Sequence, residues 1–334
     1  MLADVARLAG VSTASVSRVL NAPDTVRRET LQRVTAAIDQ LGYLPDGAAR
    51  ALASGHQRTI GAVVPTLDNA IFASCINALQ RRLAEQNFSL LVASFNYDLH
   101  EELRETRALT VHGVAGLMLV GSAHSPELYH LLQNRGLPYV TTWSYSPDSE
   151  HPSIGFDNRA VAYRLTDYLL DLGHRRIGLL AGMNRNNDRV SMRIRGVQEA
   201  MAQRGLEILP EYFLERPYDI RQGREALRHL WQLPNPPSAL ICGNDILAMG
   251  ALFESQALGL HVPAQLSIVG FDDLPISGNL VPALTTVRVP SAAMGRLAAD
   301  YLVNRLEGLA PSDHTELDAD LVVRGTSGLP LATP

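Results

Sequence analysis

The N-terminal stretch LADVARLAGVSTASVSRVL, residues 2–20, constrains the fold of this chain more than any other segment. Val5 and Leu8 share one helical face, Gly10 interrupts the pattern, and a second apolar stripe follows Ser12, which is placed to cap a helix. The second stripe consists of Val16, Val19 and Leu20. Two short helices joined by a tight glycine turn are therefore predicted.

The outer face of the second predicted helix is short and polar. If its apolar stripe faces inward, helical spacing turns small side chains and one arginine outward. These residues are Thr13, Ala14, Ser17, Arg18 and Asn21. Small side chains permit close approach to a DNA major groove, where an arginine can donate to the O6 and N7 atoms of guanine. The pattern also fits an ordinary helical hairpin, so both interpretations stay open at this point.

Charge is distributed unevenly along the chain. The net charge is −5, but the first 58 residues carry seven arginines against five acids, which leaves −7 for the remainder. A mildly basic head on an acidic body is compatible with nucleic acid as a partner of the head alone. Because the chain contains no lysine, phosphate contacts would have to come from arginines, hydroxyls, amides and helix N-termini.

Length and composition narrow the class of protein. A chain of 334 residues with 46% hydrophobic residues should form two or three folded units. No apolar run approaches the roughly 18 residues of a membrane span, and no leader-like N-terminus is present, so we expect a cytoplasmic protein without a membrane partner. Cys75 and Cys242 lie far apart among apolar residues and predict buried thiols rather than a metal site. No glycine-rich nucleotide fingerprint occurs, so we expect no cofactor.

A third helix and a linker follow the hairpin. Leu31, Val34, Ile38 and Leu41 repeat at helical spacing and Gly42 ends the pattern, which completes a predicted headpiece at residues 1–45. Residues 46–57 predict a linker in which Ala48 to Ala53 form about two helical turns, with Leu52 as the one large apolar side chain. Such a helix orders only when something packs against it. A plain flexible tether is the alternative.

From Ile60 onward, short apolar strands alternate with amphipathic helices. The predicted strands are residues 60–64, 89–93, 116–120, 139–143, 176–181, 238–242 and 266–271. The predicted helices are residues 71–86, 101–110, 160–172, 193–204, 222–233 and 245–258. This rhythm predicts an α/β core of doubly wound parallel sheets, and the number of units favours two similar lobes.

Blocks along nearly the whole chain resemble the LacI/GalR family of bacterial transcription regulators. They include DVARLAGVSTASVSRVLN, IDQLGYLPDGAARALASG, IGAVVPTLDNAIF, LGHRRIGLLAG, ICGNDILAMGA and PALTTVRVP, in the family's order. The resemblance implies a helix-turn-helix headpiece, a hinge helix and a two-lobed core like that of periplasmic binding proteins, crossed by three strands. We expect the N-terminal lobe at about 58–157 and 287–318 and the C-terminal lobe at about 158–286 and 319–334. Members bind pseudo-palindromic operator DNA as homodimers and respond to small effectors.

The resemblance also assigns DNA-binding roles to individual residues. Thr13 and Ala14 match the first exposed positions of the recognition helix, and Arg18 matches the position that reads guanine. Ser15, Ser17 and Asn21 match positions that contact phosphates or base edges, and Leu52 matches the hinge leucine that wedges into the minor groove. The chain departs from the family at Arg27, where relatives often have a capping serine or threonine.

Effector-binding residues are expected between the lobes, at the carboxyl ends of strands. Strand-end positions suggest Phe72, Asp157 and Asp272 among others, and the resemblance implies a larger set. The predicted set is Ile71, Phe72, Asp157, Arg193, Tyr218, Asn244 and Asp272. Purely structural alternatives are a core role for Phe72 and helix capping by Asn158 and Asn244.

One block of the core sequence bears on the kind of effector. The block PYVTTWSYSPDSEHPSIGFDN is similar to a gluconate-type branch, which suggests a sugar acid such as gluconate or ketogluconate, while neutral sugars and purines stay open. The alternatives are a periplasmic-type sugar-binding protein, which the headpiece argues against, and an enzyme on a doubly wound sheet. No cluster of a nucleophile with a base supports the enzyme.

Overall fold

The computed structural model describes residues 1–43 and 57–331, apart from the side chain of Asn21. Two compact units divide the chain at Arg58, the first ending there and the second beginning at Thr59. Leu52, the predicted hinge residue, lies outside the described residues. Within the described residues no helix combines the length and the apolar composition required to cross a bilayer.

The N-terminal unit contains the predicted helical hairpin followed by a third helix. Its helices are α1 (Leu2–Ala9), α2 (Thr13–Asn21) and α3 (Arg28–Leu41), with a single 3-10 turn at Pro23–Thr25. Gly10 has φ 62°, a left-handed conformation that glycine adopts without strain, and the Ser12 hydroxyl accepts a hydrogen bond from the Ser15 amide at 3.1 Å. Val5, Val16 and Val34 form the centre of a small core.

Two details of this unit differ from the sequence expectation. Leu8, predicted to share the buried face of Val5, is 45% exposed. The third helix begins at Arg28, earlier than the apolar repeat indicates, because its first turn is polar and carries no apolar signal. Arg27 stands before it without a capping hydrogen bond from its side chain.

The second unit is built on two parallel sheets. Its strands are β1 (Thr59–Val64), β2 (Ser89–Ser94), β3 (Gly116–Val120), β4 (Tyr139–Thr142), β5 (Ser153–Gly155), β6 (Ile177–Ala181), β7 (Phe213–Glu215), β8 (Ala239–Cys242), β9 (Ser267–Val269), β10 (Thr286–Arg288), β11 (His314–Glu316) and β12 (Asp320–Val322). Its helices are α4 (Ala70–Glu85), α5 (Leu99–Val111), α6 (Pro126–Arg135), α7 (Asn158–Asp171), α8 (Asp188–Gln203), α9 (Ile220–Trp231), α10 (Asp245–Ala257) and α11 (Ser291–Leu306).

The two sheets define two lobes. The first lobe has the strand order β11-β5-β4-β3-β1-β2, and the second lobe has the order β7-β6-β8-β9, with parallel pairing throughout both sheets. An additional antiparallel pair joins β10 to β12. The chain passes between the lobes after β5, before α11 and after β11, so each lobe contains segments that are distant in sequence. All seven predicted strands are present, and the doubly wound α/β class is confirmed.

Helices α7 and α8 of the second lobe approach each other very closely at Gly196. A Cβ atom added there would lie 2.1 Å from the backbone oxygen of Arg159 and 3.0 Å from the amide nitrogen of Tyr163. Only a residue without a side chain fits at this separation. The contact matters for the site because α7 begins with Asn158 and α8 carries Asp188, Arg189 and Arg193.

Candidate DNA-reading face and effector cavity

The exposed side of α2 carries the predicted DNA-contacting residues. Thr13, Ala14 and Arg18 are exposed, while Ser15 and Ser17 are half-buried. The Ser15 hydroxyl lies 3.0 Å from the Ser12 hydroxyl and so takes part in the helix cap. The opposite side of α2 is buried in the headpiece core. The described geometry thus presents a small polar face with one arginine, and the assignment of Asn21 falls on a side chain outside the described residues.

Arg33 fixes the turn between α1 and α2, and sequence reasoning missed it. From α3, its Nε atom donates to the backbone oxygen of Ala9 at 3.0 Å, and its Nη2 atom donates to the oxygens of Ala9 and Gly10 at 2.5 and 3.0 Å. These carbonyls end α1, where a cation interacts favourably with the helix dipole. Nothing in the spacing of the sequence distinguishes Arg33 from other surface arginines.

A cavity of about 320 Å³ lies between the two lobes of the second unit. First-lobe residues lining it are Ile71, Phe72, Tyr97 and Trp143. Second-lobe residues lining it are Asn187, Arg189, Arg193, Tyr218, Asn244 and Asp272. Six of the seven residues predicted to bind effector therefore lie around one cavity. The four lining residues that sequence reasoning did not assign to the site are Tyr97, Trp143, Asn187 and Arg189.

The first-lobe wall is aromatic. The Asn69 side chain accepts a hydrogen bond from the Ile71 amide and so places Ile71 and Phe72 on the first turn of α4. The Phe72 ring packs against Trp143 with centroids 5.0 Å apart and planes tilted by 60°. Strand β4 ends one residue before Trp143, which has φ 68°, so the indole leaves the sheet at its carboxyl edge. Phe72 has both a core role and a position on the cavity.

Arg193 is held firmly in the second-lobe wall. Its Nε atom donates to Asn158 Oδ1 at 2.8 Å, its Nη1 atom donates to the Gly243 oxygen at 3.1 Å, and its guanidinium carbon lies 3.6 Å from the centroid of the Phe271 ring. Burial lowers the pKa of Arg193, an effect that the nearby negative charge of Asp272 opposes. A half-buried guanidinium with a fixed orientation is suited to recognise a carboxylate or vicinal hydroxyls.

Asp272 follows the last strand of the second sheet and is only 5% exposed. Burial raises its pKa well above the usual range, while the charge of Arg193 acts in the opposite direction. Its backbone has φ 127°, a strained conformation for an aspartate, and its amide donates to the Val287 oxygen at 2.9 Å. The strain and the buried carboxyl group are both features that concentrate at binding sites.

Two asparagines on the cavity each have one buried polar atom without a hydrogen-bond partner among the described residues. These atoms are the acceptor Oδ1 of Asn187 and the donor Nδ2 of Asn244. The orientation of Asn244 follows from its role as the cap of α10, because its Oδ1 atom accepts a hydrogen bond from the Leu247 amide at 2.9 Å. Leaving such an atom without a partner costs about 1 to 3 kcal/mol. A ligand with hydroxyl groups would satisfy both atoms.

Asp157, the seventh residue predicted to bind effector, does not line this cavity. Asp157 is exposed and caps α7, accepting hydrogen bonds from the amides of Arg159 and Ala160, both at 2.9 Å. Asn158, which we considered as a cap, is instead buried, and besides its bond to Arg193 it donates from Nδ2 to the Trp143 oxygen at 2.8 Å. Asn158 therefore positions Arg193 in the cavity wall, a role that sequence reasoning missed.

Family models match both units of the chain. Residues 1–46 match the model described as bacterial regulatory proteins, lacI family, and residues 166–327 match a periplasmic binding protein-like domain. The chain is 32% identical over 326 residues to the HTH-type transcriptional repressor CytR of Escherichia coli strain K12, covering 97% of this chain and 95% of that protein.

Solved structures agree with this match. The transcription regulator GntR from Chromobacterium violaceum superimposes with a TM-score of 0.77 at 31% identity, over 81% of this chain and 99% of the other. The lac repressor dimer bound to operator and the anti-inducer ONPF superimposes with a TM-score of 0.87 at 25% identity, over 98% of this chain and 99% of the other. The relatives are repressors rather than enzymes, and the match extends over nearly the full length of the chain. This chain therefore belongs to the LacI family of bacterial DNA-binding transcriptional regulators.

Proposed function

We propose that the protein is a repressor that binds a pseudo-palindromic operator as a homodimer, and that a sugar acid such as gluconate or ketogluconate between the core lobes controls its operator affinity. The observation that carries the effector proposal is the pair of unpartnered buried atoms, Asn187 Oδ1 and Asn244 Nδ2, in a cavity that also contains Arg193 and Asp272. A ligand with several donors and acceptors would give these atoms hydrogen-bond partners.

The chemistry of the cavity favours a small polyhydroxylated anion. Arg193 would receive the carboxylate, because Arg189 already forms an ion pair with Asp188 at 3.0 Å. The two asparagines and Asp272 would bind hydroxyls, and Phe72 and Tyr218 would cover the carbon chain. The lining combines aromatic rings with a few convergent polar groups, which is the usual composition of a site for a small ligand.

Calorimetric titration of the full-length protein tests the effector class. We expect gluconate or a ketogluconate to bind, while glucose and a purine base bind at least tenfold more weakly. Asn244→Ala should weaken binding of the acid by about tenfold, since each lost hydrogen bond to ligand is worth about 1 to 1.5 kcal/mol. Asp157→Ala is the matched control and should bind as the wild type does. If no acid of the panel binds, the sugar-acid proposal fails.

The DNA-binding half of the proposal is supported by the exposed polar face of α2 and by the family to which the chain belongs. Selection from random duplexes with the full-length protein should enrich dyad-symmetric sites. Footprinting on an enriched site, with and without the bound acid, then gives the sign of the allosteric coupling. Enrichment of no dyad-symmetric sequence would favour the alternative, a sugar-binding protein without a DNA role. An operator affinity unchanged by bound acid would refute the allosteric claim.

A further inference from the structure

The first turn of α8 reaches from the second lobe to the first lobe. Asp188, the first residue of α8, accepts on Oδ2 from the Ser122 amide at 3.0 Å, from the Ser122 hydroxyl at 2.9 Å and from the Ser144 hydroxyl. Ser122 and Ser144 stand in the loops after β3 and β4 of the first lobe. One carboxylate therefore connects two first-lobe loops to a second-lobe helix.

Arg189 adds a second connection at the same place. Its Nη1 atom donates to the backbone oxygen of Val120 in the first lobe at 3.2 Å and to Asp188 Oδ1 at 3.0 Å. The two lobes meet so tightly here that a Cβ atom on Gly121 would lie 1.9 Å from Arg189 Nη1 and 2.4 Å from Asp188 Oδ1. Both charged side chains are largely buried, with 13% of Asp188 and 7% of Arg189 exposed.

The carboxylate form of Asp188 is the form that makes these contacts. Burial by itself would raise the pKa of Asp188, but the charge of Arg189 and the hydrogen bonds from Ser144 and Ser122 outweigh it and hold the pKa below its usual value. Hydrogen bonds to an ionised acceptor are about twice as strong as those between neutral groups. Asp188 thus accepts four hydrogen bonds from donors within the protein.

We propose that Asp188 and Arg189 form a clasp that holds the two lobes closed over the cavity before an effector binds. In the clasp Asp188 is a positioning residue, because it orients the Arg189 guanidinium in the cavity wall and joins the lobes without reaching the ligand itself. A ligand reaches the cavity only when the clasp opens. The clasp stands on contacts within the protein and does not depend on which effector binds.

The amide of Ser122 reports directly on the clasp. Ser122 is exposed on its loop, and its amide donates to a carboxylate of the other lobe. Opening of the lobes therefore removes its protection from hydrogen exchange, while the amides inside α8 keep their helical hydrogen bonds. Unfolding of α8 would instead expose both sets of amides together.

Hydrogen exchange read by mass spectrometry on the full-length, ligand-free protein tests the clasp. We expect the Ser122 amide to exchange at least tenfold faster in Asp188→Ala than in the wild type, with an intermediate rate in Asp188→Asn, which keeps an acceptor oxygen but loses the charge. Asp219→Ala is the matched control, because Asp219 caps α9 of the same lobe through the Gln222 amide and its carboxylate has no first-lobe partner among the described residues. In that variant Ser122 should exchange at the wild-type rate.

Two results would overturn the proposal. One is an unchanged Ser122 exchange rate in Asp188→Ala. The other is equal acceleration of Ser122 and of the α8 amides, which would mean that Asp188 stabilises the helix rather than the closed lobes. Because no effector is present in the sample, neither result depends on the sugar-acid proposal.

Discussion

Replacing Gly196 by alanine should destabilise the core unit, although alanine favours helices. The added Cβ would lie 2.1 Å from the Arg159 oxygen, whereas real Cβ atoms essentially never approach closer than 3.0 Å. Since the obstacle is backbone rather than a flexible side chain, α7 and α8 must separate by about 1 Å. Core packing resists such a shift because protein interiors are close-packed.

The separation also breaks a hydrogen bond at the cavity. The bond from Arg193 Nε to Asn158 Oδ1 spans the same two helices at 2.8 Å, and a shift of about 1 Å would lengthen it beyond hydrogen-bonding distance. Overpacking costs about 1 to 3 kcal/mol and loss of a charged, buried hydrogen bond about 1.5 to 3 kcal/mol. The higher helix propensity of alanine stabilises the helix by about 1 kcal/mol relative to glycine. The free energy of unfolding should therefore fall by about 1.5 to 5 kcal/mol.

Urea denaturation of the ligand-free, full-length protein measures this difference. Met192→Ala is the control, because Met192 lies on the same helix, is 46% exposed and should change the free energy of unfolding by less than about 0.5 kcal/mol. A Gly196→Ala protein that is as stable as the wild type, or more stable, would refute the reasoning. It would show that helix propensity outweighs the contact between α7 and α8.

Three other substitutions test the headpiece and the cavity. Arg18→Ala should weaken binding to the cognate operator by about 1 to 3 kcal/mol but leave binding to random duplex nearly unchanged. Fluorescence anisotropy measures both affinities. Equal losses on both duplexes would reassign Arg18 to a phosphate contact. Arg33→Ala removes the hydrogen bonds to Ala9 and Gly10 and should lower the free energy of unfolding of the headpiece by about 2 kcal/mol. Hydrogen exchange in α1 and α2 should then accelerate while exchange in the core stays constant. Unchanged headpiece exchange would contradict the role of Arg33. Folding raises the pKa of Asp272, because burial penalises its carboxylate. The contribution of this group to the free energy of unfolding is therefore fully present below the unfolded-state pKa and is lost as pH rises through the folded-state pKa. Asp272→Asn should therefore raise the melting temperature more at pH 8 than at pH 4, and a difference independent of pH would contradict the raised pKa.

Local signals explain which parts of the fold were predictable. The headpiece hairpin depends on a cap at Ser12 and a turn at Gly10, which act over a few neighbouring residues. The five strands that the sequence did not predict, β5, β7, β10, β11 and β12, have three residues each and carry no periodic signal. Long-range pairing stabilises them, as when β11 pairs with β5 across more than 150 residues of sequence. Helix α11 was missed because its Ser291–Leu306 sequence is apolar on several sides, packing on both α4 and the first sheet.

The geometry of a helix N-terminus explains why Asp157 does not line the cavity. The strand-end rule located the right edge of the sheet, but adjacent residues at a helix start point in different directions. The capping side chain of Asp157 turns back to the free amides of its own helix, while the side chain of Asn158, about 100° further around, points into the protein. Sequence spacing alone does not tell which of the two reaches the site, because the choice depends on where the cap is placed.

The resulting geometry connects the two lobes through the ligand-binding wall. Asn158 of the second lobe accepts a hydrogen bond from the Arg193 guanidinium of the same lobe and donates one to the Trp143 carbonyl of the first lobe, both at 2.8 Å. The bond to Trp143 therefore crosses between the lobes behind the cavity. A ligand that pulls on Arg193 therefore acts on the segment that carries Trp143 and, through its ring, on Phe72 at the start of α4. The clasp of Asp188 and Arg189 joins the lobes at a second point. Because the lobes are connected at these two points, we expect a ligand that breaks or tightens either connection to change the position of one lobe relative to the other.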